Sequence, residues 1–316
     1  MSIFLAKRLL TFVATLFGAS MVIFLVMEIL PGNPALVILG VDASDEAVAS
    51  LTRELGLDRP AVIRYWDWIW GLLHGHMGTS YAYKVPVWEL VSGALGITIP
   101  LALMSIVLSI VIALVIGLYA AANHNKPGDV ALMGISQLGI SIPNFWLAIM
   151  LVILFAVQLH WLPAGGFPGW DEGFFKCIEA LLLPSIALST VVGAILARIT
   201  RSSVLEVFRE DFVRTARAKG LSQRAALWRH VLRNALIPVL TVAGIQFASL
   251  LTGTVVAENV FHIPGLGSLV LKAINNRDTV VVENVILVLA AMVIAANFIV
   301  DILYAVVDPR LKAHDI

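Results

Sequence analysis

A chain of 316 residues with 59% hydrophobic and only 13% charged residues, at a mean hydropathy of +0.93, is too apolar for a soluble globular protein, which carries about 25% charged residues. Its 21 basic and 21 acidic side chains cancel, so overall charge selects no partner. The single basic cluster lies between apolar runs with few aromatics for base stacking, which excludes nucleic acid, and one cysteine, Cys177, excludes internal disulfides and cysteine-rich metal sites.

Lys7 and Arg8 precede an apolar run over 9–30. It exceeds the roughly 7–15 residues of a cleaved signal core and reaches the about 20 needed to cross a bilayer, so a retained first span is expected. Five further spans are read at 97–121, 130–157, 180–199, 235–257 and 284–307, giving an all-α integral membrane protein of about six helices. The chain divides into a first span with its leader (1–30), a small helical extracytoplasmic segment (31–96), a membrane core (97–307) and a tail (308–316). With the first residues inside, 14 of the 21 lysines and arginines fall on inside segments, so both ends are expected in the cytoplasm.

After the first span, Pro31-Gly32-Asn33-Pro34 stops the helix. Ser44 can cap a helix that Gly56 ends, and Asp58 can cap one over 59–74 carrying Tyr65, Trp66, Trp68 and Trp70. These aromatics suit a bilayer interface; packing of the segment onto the spans and reception of a partner remain alternatives. The second span places Ser105, Ser109, Ala113 and Gly117 four residues apart, and the fifth repeats the pattern with Gly244, Ala248 and Thr252. Small residues on one face let helices approach closely. The third span is broken by Ser141-Ile142-Pro143-Asn144. A proline break frees a carbonyl that must find a neighbour or line a cavity. Gln137, Ser141, Pro143, Asn144 and Gln246 are therefore the candidate pathway-lining residues, with plain inter-helix bonding as the alternative. Asp301 is expected to meet an arginine. Residues 258–267 form a re-entrant turn or outside loop, 268–275 a short helix, and Asp308-Pro309-Arg310 stops the last span.

The most basic stretch is 198–234, RITRSSVLEVFREDFVRTARAKGLSQRAALWRHVLRN. Val204, Phe208, Phe212 and Ala216 recur every fourth residue, the spacing of one helical face. Gly220 tolerates a left-handed helix end and Ser222 can cap a second helix. The pattern predicts two short helices around a glycine corner; a solvated loop that only sets topology is the alternative. No G-x-x-x-x-G-K-[ST] or H-E-x-x-H sequence occurs, and Ser141 lacks a G-x-S-x-G context. An intramembrane hydrolase using Ser141 and a passive channel are the rival classes.

Asp211-Phe212-Val213-Arg214-Thr215-Ala216-Arg217-Ala218-Lys219-Gly220-Leu221, followed by Arg229-His230-Val231-Leu232-Arg233-Asn234-Ala235-Leu236-Ile237-Pro238, resembles the cytoplasmic loop of permeases in bacterial ATP-binding-cassette (ABC) importers, within the dipeptide/oligopeptide/nickel family. Leu30 to Pro34, Leu55 to Asp58, Met77 to Ser80, Ser141 to Pro143, Glu258 to Gly267, Arg277-Asp278 and Asp308 to Arg310 resemble that family in the same order. Aligned on Gly220, the general importer pattern E-A-A-x-x-x-G, nine residues, I-x-L-P is met only at Ala216, Gly220 and Leu232; Arg214, Thr215, His230 and Arg233 depart from it as the peptide subfamily does. The resemblance implies a type I ABC importer permease fold in a bacterial inner membrane. It implies a pathway shared with a second, homologous permease and an extracytoplasmic binding protein that delivers substrate. It also implies two ATPase subunits docked on Arg214, Thr215, Ala216, Arg217, Ala218, Lys219, Gly220, Leu221, His230 and Leu232. ATP and Mg are then used by those ATPases; this chain has no nucleotide, metal or catalytic site of its own. Dipeptides, longer peptides, glutathione and nickel all stay open as substrates.

Overall fold

The computed structural model describes residues 2–29, 34–40 and 42–307, with side chains from 7 to 300 and at 302 within those bounds. The helix stop at 30–33, the tail 308–316 with its 308–310 stop, and the Asp301 side chain lie outside the described residues. Five helices are long and apolar enough to cross a membrane: Lys7–Ile29, Val87–Ala122, Phe174–Val207, Gln223–Val260 and Thr279–Val300. The pair Pro127–Ser141 and Asn144–Gln158, bent by 104°, makes a sixth when counted as one span. The expected third span is therefore a broken one, and four others run longer than expected. At about 1.5 Å per residue, Val87–Ala122 with its 36 residues extends to about 54 Å against a hydrocarbon core of about 30 Å. Its first ten residues fall in the expected outside segment because Glu89, Gly93 and Gly96 dilute the hydropathy.

The chain forms two compact units, one running to Thr98 and resuming at Pro264–Ala295, the other holding Ile99–Ile263 and the chain from Ala296. The first contains α1 (Ser2–Ile29), α2 (Pro34–Leu39), α3 (Asp45–Glu54), α4 (Ala61–Leu73), the start of α5 (Val87–Ala122), and, later in the chain, Leu266–Asn275 and the start of Thr279–Val307. Ser44 caps α3 as expected, its Oγ accepting from the Ala47 amide at 3.3 Å. Asp58 does not cap α4. Pro60 stands at the cap with φ −52° and ψ 133° and, having no side-chain oxygen, makes no cap bond. The aromatics of α4 fasten it to α1. Tyr65 lies edge-on to Phe24 at 5.3 Å and shares a buried hydrogen bond of 2.9 Å with Ser20, while Arg64 forks onto both Glu28 oxygens. Val87 and Val91 of α5 join Leu266, Val281, Val282 and Val285 in the core of this unit. Beside it, buried Asp278 accepts from Ser80 Oγ at 2.5 Å and from the Ala82 amide at 3.0 Å. Burial pushes the nearby Tyr81 phenol above its ordinary pKa, with Glu283 and Asp278 adding to the shift.

The second unit contains the rest of α5, α6 (Pro127–Ser141), α7 (Asn144–Leu151, extended by a π-helical turn to Gln158), α8 (Phe174–Val207), α9 (Asp211–Ala218), α10 (Gln223–Ala226), α11 (Leu232–Val260) and, after the first unit's α12 (Leu266–Asn275), the end of α13 (Thr279–Val307). The small-residue stripe of α5 packs as its spacing predicts. Ser105, Ser109 and Ala113 are fully buried, and Ser109 Oγ reaches the Ser189 carbonyl at 3.4 Å. A Cβ on Gly117 would stand 2.6 Å from Thr200 Cβ, so α5 and α8 touch backbone to side chain there. Gly244 meets Val300 and Ala248 is buried, whereas Thr252 is exposed. The expected turn at 258–267 is shorter than read: α11 continues through buried Glu258 to Val260, and α12 starts at Leu266.

Candidate functional site: a basic elbow and a broken span

The basic stretch is built differently from two short helices. α8 runs on to Val207, so Arg198 and Arg201 belong to the membrane helix. A turn at 208–210 redirects the chain into α9, whose first turn carries Asp211 against the positive end of the helix dipole. α9 closes in a Schellman motif: the Gly220 amide bonds the Arg217 carbonyl at 2.9 Å and the Leu221 amide bonds the Ala216 carbonyl at 3.3 Å. Gly220 stands at φ +95°, a conformation that glycine adopts without a Cβ penalty. Ser222 Oγ then accepts from the Ala225 amide at 3.2 Å and caps the next helix. That helix is no short second element. It passes through a π-helical turn at Leu227–Val231 into α11, one run from Gln223 to Val260.

The apolar face also differs from the four-residue reading. The redirection at 208–210 takes Val204 and Phe208 out of register with α9, and Phe212 is 45% exposed. Val213 is the inserted residue. It is fully buried with Ala121 of α5, Val204 of α8, and Ala226, Leu227, Val231 and Ala235 of the α10–α11 run. Ala216 is buried beside it in sequence, while Arg214, Thr215, Arg217, Ala218, Lys219 and Gly220 face outward and Leu221, His230 and Leu232 are half-buried. The elbow is thus held by three membrane helices and presents a basic face with Phe212 at its edge. A surface groove lined by Ser202, Glu206, Arg209, Glu210 and Arg214 adjoins its corner.

At the broken span, Gln137, Ser141 and Pro143 are exposed and Asn144 and Gln246 half-buried. Ser141 Oγ donates to the Gln137 carbonyl at 3.0 Å, a bond within its own helix that presents no general base. Asn144 Oδ1 is buried with no hydrogen-bond partner among the described residues, which singles it out, since buried amides are nearly always satisfied. The break gathers Gln137, Ser141, Pro143 and Asn144 along one bend; α11, which carries Gln246, packs on α7, but no hydrogen bond joins Gln246 to the bend among the described residues.

Sequence reasoning missed a buried ion pair. Asp129, 2% exposed, accepts from Arg201 Nε at 2.6 Å and Nη2 at 2.7 Å, and from the Asn125 amide at 3.0 Å. His124 Nδ1 lies 3.0 Å from Arg201 Nη2. An acidic residue at the start of an apolar helix signals a need for a basic partner, but Lys126, three residues away, is the nearer candidate and the sequence does not single out Arg201.

Membrane-length helices, with, in the second unit, one broken span and a short basic helix seated against three helices, define the class, the type I ABC importer permease fold. A chain of the inward-facing MetNI methionine ABC transporter shares it with a TM-score of 0.58 at 18% identity, over 70% of this chain and 97% of that one. The chain belongs to the family of binding-protein-dependent transport system inner membrane components, which matches residues 113–313, and the N-terminal part of the membrane component of such systems matches residues 1–102. A putative peptide transport system permease protein of Brucella abortus is 40% identical over 99% of both chains. The dipeptide transport system permease protein of Alkalihalophilus pseudofirmus is 39% identical over 97% of this chain and 98% of its own.

Proposed function

We propose that the chain is one of two homologous permeases that together form a peptide-uptake pathway, opened alternately to either side by two partner ATPases. The observation that carries this reading is Val213, locked at 0% exposure into a cluster drawn from α5, α8 and α11. A force applied to the outward face of α9 at Arg214, Thr215, Arg217, Ala218, Lys219 and Gly220 reaches three membrane helices through close packing, with no loop to absorb it. Alternating access by rigid-body rocking needs such a lever. The basic bias puts the elbow and both chain ends in the cytoplasm of a bacterial cell whose inner membrane holds the protein. ATP and Mg are bound by the ATPases, and this chain contributes no catalytic group. An extracytoplasmic binding protein delivers the substrate. Gln137, Ser141, Pro143, Asn144 and Gln246 border the pathway, a role supported by the unpartnered Asn144 Oδ1.

The test is reconstitution of this chain with the second permease, the ATPases and the binding protein encoded alongside it, in liposomes supplied with ATP. Uptake of labelled dipeptides or tripeptides that stops without ATP supports the reading. Uptake without ATPases supports a channel, and uptake of nickel or glutathione alone moves the substrate within the same machinery. A cysteine at Lys219 that reacts only from the external face would overturn the orientation and the docking together.

A further inference from the structure

The groove between α6 and α8 is an unassigned site. It encloses about 380 Å³ and is lined on α6 by Asp129, Val130, Met133, Ser136, Gln137 and Ile140, and on α8 by Ala194, Arg198 and Arg201. These positions recur every three to four residues on each helix, so each helix gives the groove one continuous face. The Asp129 carboxylate is spent on Arg201. Arg198, one turn deeper, forms no hydrogen bond or ion pair among the described residues. The groove therefore carries one uncompensated positive charge, with the Gln137 amide on the facing wall and an apolar floor of Val130, Met133, Ile140 and Ala194. The polar turn from Asn123 to Gly128 marks the water boundary at one end. Arg198 lies about a turn or two below it, within reach of the interface by extending its side chain. Val130, part of the groove lining, is itself 68% exposed.

A cation at head-group depth above an apolar trough matches an anion that carries a hydrocarbon chain. Basic pockets between membrane helices take acidic lipid head groups in this way. We infer that this groove binds an acidic phospholipid, its phosphate on Arg198 and one acyl chain along Val130, Met133 and Ile140. A peptide carboxylate would satisfy Arg198 equally, but it leaves the apolar floor of Val130, Met133, Ile140 and Ala194 without a partner. The site holds whether or not the transported substrate is a peptide.

The test uses the assembled transporter, delipidated in detergent and offered equal amounts of phosphatidylglycerol and phosphatidylcholine, with retained lipid read by native mass spectrometry. Phosphatidylglycerol should be retained at least fivefold over phosphatidylcholine. Arg198→Gln should abolish that preference, Arg198→Lys should restore most of it, and Lys126→Gln, a charge loss outside the groove, should leave it intact. Equal retention of the two lipids, an Arg198→Gln complex as selective as the parent, or displacement of the bound phosphatidylglycerol by millimolar dipeptide overturns the inference. One measurement needs no variant: phosphatidylglycerol with a photoreactive acyl chain should label residues 130–140, and labelling elsewhere alone overturns it as well.

Discussion

Substitution at Gly220 separates backbone strain from docking. The residue holds φ +95°, and no heavy atom lies within 4 Å of the position its Cβ would take. A side chain in a left-handed conformation costs about 1–2 kcal/mol, so Gly220→Ala carries strain and nothing else. One to two kcal/mol is a factor of about 5–30 in a local equilibrium, which bounds the loss of peptide-stimulated ATP hydrolysis for the alanine variant. Gly220→Trp carries the same strain and projects an indole into space that the chain itself leaves empty. Any loss beyond alanine must come from a surface supplied by another subunit. We expect the alanine complex to keep its ATPases through purification, and the tryptophan complex to shed them while inserting normally in the membrane. A tryptophan complex that retains its ATPases and hydrolyses ATP like the alanine complex would refute the docking role of the elbow.

Val213→Ala removes two buried methyl groups from the elbow cluster at a cost of about 1–3 kcal/mol; uptake per ATP hydrolysed should fall while the ATPases remain bound, and an unchanged ratio would count against the lever. Asp129→Asn strands Arg201, which is 23% exposed, so the loss should fall near the lower end of the about 3–5 kcal/mol for a broken buried pair. It should appear as a lowered Tm in detergent, largely recovered by pairing Asp129→Leu with Arg201→Met; an unmoved Tm would show the pair to be inert. Gly117→Leu forces atoms into Thr200 and should cost at least about 1–3 kcal/mol, read as reduced assembled yield. Cysteines at Asn144 and Gln246 should react with a water-soluble thiol reagent in at least one nucleotide state, with buried Cys177 silent; protection in every state would assign both to packing.

The parts of this protein legible in its sequence are those set by local chemistry. Ser44 and Ser222 cap helices because a side-chain oxygen two or three residues ahead of free amides is a local bond, and Gly220 turns the chain because only its own φ is at stake. The stripe Ser105, Ser109, Ala113, Gly117 could be read because a four-residue repeat on one long helix fixes its own register. Legibility failed where register depended on a break. The four-residue spacing points to Phe212 and not to the buried Val213, because the turn at 208–210, a redirection by three residues, shifts the buried face of α9 by one position. Span ends failed for a related reason: α5, α8 and the α10–α11 run continue past the hydrocarbon region, and hydropathy does not see a helix whose outer turns are buried by protein rather than lipid. The Asp129–Arg201 pair joins residues 72 positions apart, beyond any local pattern.

The run from Gln223 to Val260 has 38 residues, with Pro238 inside it, and reaches about 57 Å. Tilting a rod of that length by about ten degrees at one end swings the other by roughly 10 Å, so if ATPases dock at the elbow as proposed, a nudge there and a gape at the far membrane surface are one movement seen from two places. The widened helical coil at Leu227–Val231 and the proline at Pro238 are the two places where the rod can flex, and on the proposed docking the push would arrive beside the first of them.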